Sequence, residues 1–127
     1  MTINGYFQII DWQESTVTEI NNDTKLNKAT VKTEYHGDIV GTSCIEYQLF
    51  YNNEKHASFI GYEHVSFSKS NDKKQLIIEH KGVFKNGIAT ATLSVLFSEH
   101  DDLVLGSSGT LRSDDHGKAE FSFASTP

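Results

Sequence analysis

Along most of the chain apolar and polar residues alternate with a period of two. From Ala89 to Phe97 the odd positions are Ala89, Ala91, Leu93, Val95 and Phe97, while the even ones open with Thr90, Thr92 and Ser94. Successive side chains of a strand leave opposite faces, so this alternation predicts a half-buried strand. Thr, Val, Ile, Phe and Tyr supply most such segments, as a pleated surface favours. Eight strands are predicted, at about Ile3–Asp11, Lys28–His36, Thr42–Tyr51, Ala57–Ser68, Lys74–Lys85, Ile88–Ser98, Leu103–Arg112 and Gly117–Ala124. The breaks between them are short and polar and read as hairpin loops, among them 52–56, 70–73, 99–102 and 113–116. Asn86-Gly87 is the sharpest, because both residues tolerate the positive φ of a type I′ turn. Only Glu14–Asn27 is long; it is polar, with Val17, Ile20 and Leu26 scattered through it, and predicts an irregular connection with room for one helical turn.

Short strands joined mainly by hairpins predict a meander. Closing it removes both sheet edges, so the expected fold is all-β: a closed eight-stranded antiparallel barrel. A two-sheet sandwich is the competing architecture, and parallel α/β folds are disfavoured because no helical crossover is present. Paired residues of a hairpin share a face, so loop centres predict register. The third and fourth strands should oppose Tyr51 to Ala57, Leu49 to Phe59, Tyr47 to Gly61 and Ile45 to Glu63. The next pair should oppose Phe59 to Phe84, Gly61 to Gly82, Val65 to Ile78 and Phe67 to Leu76, and the Asn86-Gly87 hairpin should set Ile78 against Val95 and Leu76 against Phe97. The same inner face continues through Leu103, Leu105, Ser107, Gly109 and Leu111 to Ala119, Phe121 and Phe123.

Two charged residues interrupt that face. This register sets Glu63 directly opposite His80, pointing inward, and their neighbours His64 and Glu79 opposite each other, pointing outward. The inner pair has three readings: an ion pair that pins register, a polar contact for a ligand, or an acid–base pair. The outer pair reads as a solvated cross-strand contact. Tyr47 faces the same interior, Thr33 and Tyr35 join it if the odd residues of the second strand point in, and Ser107 points in opposite Leu93. Gly61, Gly82 and Gly109 should leave space beside these groups. Trp12 follows the first strand and is expected to plug one end.

Composition narrows the field. At 127 residues the chain is expected to be one domain, residues 1–127. Eleven Lys and Arg against seventeen Asp and Glu give a net charge of −6, so no basic surface awaits nucleic acid or an anionic membrane. The single cysteine, Cys44, rules out an intrachain disulfide and a cysteine zinc site; on the outer face with no base in prospect, it reads as inert. No two histidines share a metal-ligand spacing, so neither metal nor cofactor is expected. Residues 1–6 lack a leader pattern and no apolar run could cross a bilayer, which points to a soluble, cytoplasmic setting.

Gly5-Tyr6-Phe7 with Trp12, Ile45-Glu46-Tyr47, the run from Ala57 to Glu63, His80-Lys81-Gly82-Val83-Phe84 and the run from Gly87 to Thr92 resemble a small bacterial domain family of unknown function. The resemblance covers nearly the whole chain and is strongest from Ile45 to Thr92. It implies a closed barrel like that of allene oxide cyclase and assigns no activity. It also implies self-association, as a dimer or trimer. Plant allene oxide cyclases act on a fatty-acid epoxide and dirigent proteins guide phenoxy-radical coupling in such barrels, but shared architecture does not transfer chemistry. The leading expectation is a barrel that binds a small, largely apolar molecule in its lumen through Glu63, His80 and Tyr47. The rivals are an isomerase or cyclase using Glu63 or His80, and an interaction module filled by Phe59, Phe67, Phe84, Phe97, Phe121 and Phe123.

Overall fold

The structure, a computed structural model, describes residues 2–124; Met1 and the lone proline, Pro127, lie outside the described residues. Eight strands follow one another: β1 (Thr2–Glu19), β2 (Lys25–Gly37), β3 (Gly41–Asn53), β4 (His56–Lys69), β5 (Asp72–Lys85), β6 (Ile88–Ser98), β7 (Ser108–Ser113) and β8 (Lys118–Ala124). Each pairs antiparallel with its neighbours in sequence, and β1 also pairs with β8, so the sheet returns on itself as a ring rather than splitting into a sandwich. No helix among the described residues is long and apolar enough to cross a membrane.

The period-two pattern becomes the inside and outside of this ring. Val31, Ile45, Val65, Ile78, Val95, Phe121 and Phe123 point inward and are buried. The β3–β4 register matches the expected one from Tyr51–Ala57 to Ile45–Glu63. At the β5–β6 turn Asn86 and Gly87 have φ of 53° and 86°, as a type I′ hairpin requires.

Elsewhere the register departs from expectation, each time for a local reason. The β4–β5 turn is not the four-residue loop 70–73. Lys69 pairs with Asp72, so only Ser70 and Asn71 turn, both with positive φ. The ladder therefore slips by two: Gly61 faces His80, Phe59 faces Gly82, and Glu63 faces Ile78 rather than His80. An even slip preserves every side chain's face. Between β5 and β6 a bulge skips Leu96, so Ile78 pairs with Val95 but Ile77 pairs with Phe97. Phe97 is thereby turned outward and is 49% exposed, which removes it from the expected interior.

The last two hairpins also slip by two: Leu93 faces Gly109 instead of Ser107, and Gly109 faces Phe123. The cause is that β7 begins only at Ser108, and 99–107 is a loop. Its Leu103 is fully buried, but Leu105 is 71% exposed and not on the inner face. The segment 14–27 is likewise no irregular connection. β1 runs to Glu19 and β2 starts at Lys25, with Glu14 paired to Ala29 and Thr16 to Asn27.

The apolar residues of the loops decide how the two ends of the ring are finished. At one end the segments 38–40 and 99–107 fold back, and Ile39 and Leu103 seal the interior. At the other, the segments 20–24, 54–55, 86–87 and 114–117 bury no side chain, and Ile20 is 63% exposed.

Candidate functional site

Four consecutive strands each contribute one polar side chain to a hydrogen-bonded chain in the buried interior: Tyr35 from β2, Tyr47 from β3, Glu63 from β4 and His80 from β5. Tyr35 Oη donates to Glu63 Oε2 at 2.7 Å. His80 Nε2 stands 2.6 Å from Glu63 Oε1, and His80 Nδ1 lies 3.0 Å from Tyr47 Oη. The two-residue slip that separates Glu63 from His80 in the ladder makes them diagonal neighbours, still within reach on one face. Gly61 lies opposite both Tyr47 and His80. A Cβ there would sit 2.5 Å from Tyr47 Cδ1, so the glycine gives its space to the tyrosine ring rather than to an open pocket. That ring packs edge-on against His80 and Phe59.

The hydrogen bonds determine what the chain can do. Burial, with the Glu63 charge beside them, raises the pKa of both Tyr35 and Tyr47 well above the usual tyrosine value, so both stay protonated. With Nε2–H donating to Glu63, a neutral His80 accepts the Tyr47 proton at Nδ1. A charged His80 instead donates from Nδ1, and the Tyr47 proton is then free to point elsewhere.

Elsewhere means a cavity. The open end holds a hollow of about 430 Å³ whose wall includes Phe7, Trp12, Tyr47, Tyr51, Phe59 and Phe84. Tyr47, 8% exposed, is the member of the four-residue chain that lines it. Tyr35, Glu63 and His80 are buried behind that wall. A wider hollow, of about 920 Å³, is a groove on the outer face near Tyr6, Lys81, Val83 and Arg112, and touches none of the four.

The family model described as a protein of unknown function (DUF3224) matches residues 3–124. The chain belongs to the DUF3224 family. No curated protein matches it. Among solved structures, the crystal structure of a DUF3224 protein of unknown function from Shewanella oneidensis MR-1, at 1.84 Å resolution, is 18% identical. It aligns over 100% of this chain and 98% of that one with a TM-score of 0.65, a likeness of fold.

Not every predicted residue of this DUF3224 chain reaches the cavity. Thr33 is buried, but its hydroxyl is 2.6 Å from that of Ser43, so the two satisfy each other. Ser107 is buried in the 99–107 loop, where its Oγ accepts from Val104 N at 3.1 Å and its backbone O accepts from Val95 N. It pins the loop that seals the far end. On the outer face Glu79 pairs with Tyr62, and His64 is bonded to Gln75 at 2.7 Å instead of to Glu79. Cys44 lies on that face too, a free thiol with Sγ 4.0 Å from Glu46 Oε1. Among the described residues no three His, Cys, Asp or Glu side chains gather to hold a metal.

Trp12 does not plug an end. It lies within β1, lines the mouth of the cavity, stacks on Tyr47 with ring centroids 6.1 Å apart, and donates from Nε1 to Glu14 Oε1 at 2.8 Å. Glu14 Oε2 accepts from Tyr51 Oη at 2.8 Å and from Asn27 Nδ2 at 2.5 Å. A bulge between Ile9 and Asp11 places these groups: Ile9 pairs with Thr33, but Trp12 pairs with Val31, so the inward positions change from odd to even. Trp12 and Glu14 are the site residues whose inward facing the alternation missed; Tyr51 was already on the expected inner row. The signal was present as the apolar doublet Ile9-Ile10, where the phase breaks.

Proposed function

We propose that this DUF3224 protein is a barrel of the allene oxide cyclase kind that takes one small, largely apolar molecule into the cavity at its open end, with Tyr47 as the polar contact at the inner wall. The observation that carries this reading is the cavity itself. About 430 Å³ walled by aromatic rings falls within the usual range of small-molecule sites, which combine apolar walls with a few fixed polar groups. Tyr47 is such a group, because His80 holds its hydroxyl and Phe59 and Trp12 hold its ring. Glu63 and His80 act from behind the wall, by orienting that hydroxyl rather than by touching the ligand.

The reading is tested by calorimetric titration with neutral aromatic probes (indole, 2-naphthol and the naphthyl ketone prodan). Saturable 1:1 binding is expected. Ala89→Phe, which pushes a ring into the cavity, should abolish it while circular dichroism stays unchanged. Failure of all three probes to bind, or binding indifferent to Ala89→Phe in a folded protein, overturns the proposal.

A second reading draws on the continuity of the hydrogen bonds from Glu63 through His80 to Tyr47. Such a chain can carry a proton to or from a molecule in the cavity, as an isomerase or cyclase needs. Glu63→Gln separates the two readings. It would abolish turnover if the chain relays protons, and would leave neutral probes bound if the protein is a binder.

A further inference from the structure

The charges and spare hydrogen-bond groups at the mouth of the cavity are one-sided. Among the described residues three acidic ones line it, Glu14, Asp114 and Asp115, and no Lys, Arg or His does. Asp114 is fixed as an anion in the β7–β8 turn, where its Oδ1 accepts the backbone N–H groups of His116 and Lys118, which hold its carboxyl below the usual range. The donors beside Glu14 are already committed to it: Trp12 Nε1, Tyr51 Oη and Asn27 Nδ2. Because Asn27 must turn its NH₂ toward that carboxylate, its Oδ1 faces away, buried and without a partner among the described residues. What remains at this rim is acceptor capacity: an open position on Glu14 and the two aspartates. Ser113 is the exception, since its Oγ accepts from Ala89 N and its proton is uncommitted.

The aromatic walls have the same preference. The faces of Trp, Tyr and Phe attract cations through their quadrupoles, Trp most strongly. At this mouth the protein's own Lys25 already stands over the Tyr51 ring, with Nζ 5.2 Å from its centroid. Lys55, His56 and Lys85 flank the turns at the same end without lining the cavity, and His116 stands in solvent 3.4 Å from Asp115.

The geometry points to an organic cation as the ligand: a protonated amine on an aromatic or alkyl body, its N–H groups on Glu14 and its body against Phe59, Phe84 and Tyr47. This deepens the binding proposed above and rests on it. An anionic or neutral body of the same shape would meet like charges or unpaired acceptors at the rim. Glu14 is exposed, so water and salt screen its charge, and the preference should be moderate and fall with ionic strength.

Three probes sharing one body test it by calorimetric titration at neutral pH and low salt: 2-(1-naphthyl)ethylamine, 2-(1-naphthyl)ethanol and 1-naphthylacetate. The amine should bind about tenfold more tightly than the alcohol, a ratio in the range of a partly exposed cation–aromatic and carboxylate contact, and the carboxylate should bind weakest. Half-molar salt should shrink that ratio. Glu14→Gln, which keeps an acceptor for Trp12, should bring it toward one, and Asp115→Asn should lower it less. If the alcohol or the carboxylate binds as tightly as the amine, the cation assignment is wrong while the cavity reading stands. An amine preference unchanged in Glu14→Gln also overturns the assignment. If none of the three binds, the cavity reading falls with it.

Discussion

The two ends of the ring are built from the same alternating strands and finish differently. One end is sealed by the segments 38–40 and 99–107, whose Ile39 and Leu103 are buried in the same apolar core as Val65, Leu76 and Val95. At the other, the segments 20–24, 54–55, 86–87 and 114–117 bury nothing, and the ring interior stays hollow between Phe59, Phe84 and Trp12. Strand patterning thus builds the wall, and the apolar side chains that the loops turn inward decide whether the enclosed space becomes core or site. The buried chain from Tyr35 to Tyr47 crosses the boundary, its carboxylate on the sealed side and its last hydroxyl on the cavity wall.

The strongest way to break this contrast is to remove a charge from the sealed side. Glu63→Ala leaves His80 and the Tyr35 hydroxyl without their partner where no water reaches them. Truncating one member of a buried pair costs about 3–5 kcal/mol. Phe84→Ala, on the half-buried cavity wall, should cost about 1–2 kcal/mol, well below the range for a fully buried phenylalanine. Urea denaturation of the two variants measures both. Equal losses would mean that the two ends are packed alike.

Alkali probes the same chain without deleting its carboxylate. An unfolded tyrosine loses its proton near pH 10. In the fold, burial and the Glu63 charge keep Tyr35 and Tyr47 protonated above that. Over this range the native state binds more protons than the unfolded state. Stability that is intact below about pH 10 is therefore lost as the pH climbs further, by about 1.4 kcal/mol per pH unit for each tyrosine and about 3 for both. Tyr51 at the open end is shifted the same way, by partial burial and its bond to Glu14, but its exposure weakens the effect. Denaturant midpoints between pH 9.5 and 11.5 should fall steeply in the native sequence and much less in the Tyr35→Phe, Tyr47→Phe double variant. Parallel slopes would mean that the two hydroxyls are not held in the buried chain.

How far this arrangement could be read beforehand depends on parity. Inward and outward facing survive any even error in register. Glu63, His80, Tyr47 and Tyr35 were therefore identifiable as inner polar groups although the β4–β5 pairing was misplaced by two. Their partners were not, since Tyr35 to Glu63 and Tyr47 to His80 depend on stagger between strands that sequence spacing does not encode. Bulges defeat parity outright. Trp12 and Glu14 turned in, and Phe97 turned out, each beside an apolar doublet, Ile9-Ile10 and Leu96-Phe97, where one extra residue changes the phase. Loop capping was also hidden: Leu103 and Ser107 alternate like strand residues, yet belong to a loop that folds back to plug the ring.

The smallest and sharpest comparison removes one oxygen from each side of the boundary. Tyr35→Phe deletes a hydroxyl that donates to a carboxylate where nothing can replace it, and hydrogen bonds to charged groups contribute about 1.5–3 kcal/mol. Tyr47→Phe deletes a hydroxyl whose partner is an imidazole and whose far side faces the cavity. Water entering from the open end can take its place, so the cost should be about 0.5–1 kcal/mol, toward the low end for a neutral pair. Thermal and urea denaturation at neutral pH should therefore rank Tyr35→Phe below Tyr47→Phe in stability by about 1 kcal/mol. A Tyr47→Phe loss as large as that of Tyr35→Phe would mean that no water stands in for the hydroxyl. The cavity would then end short of the chain, and Tyr47 would belong to the sealed core rather than to the site.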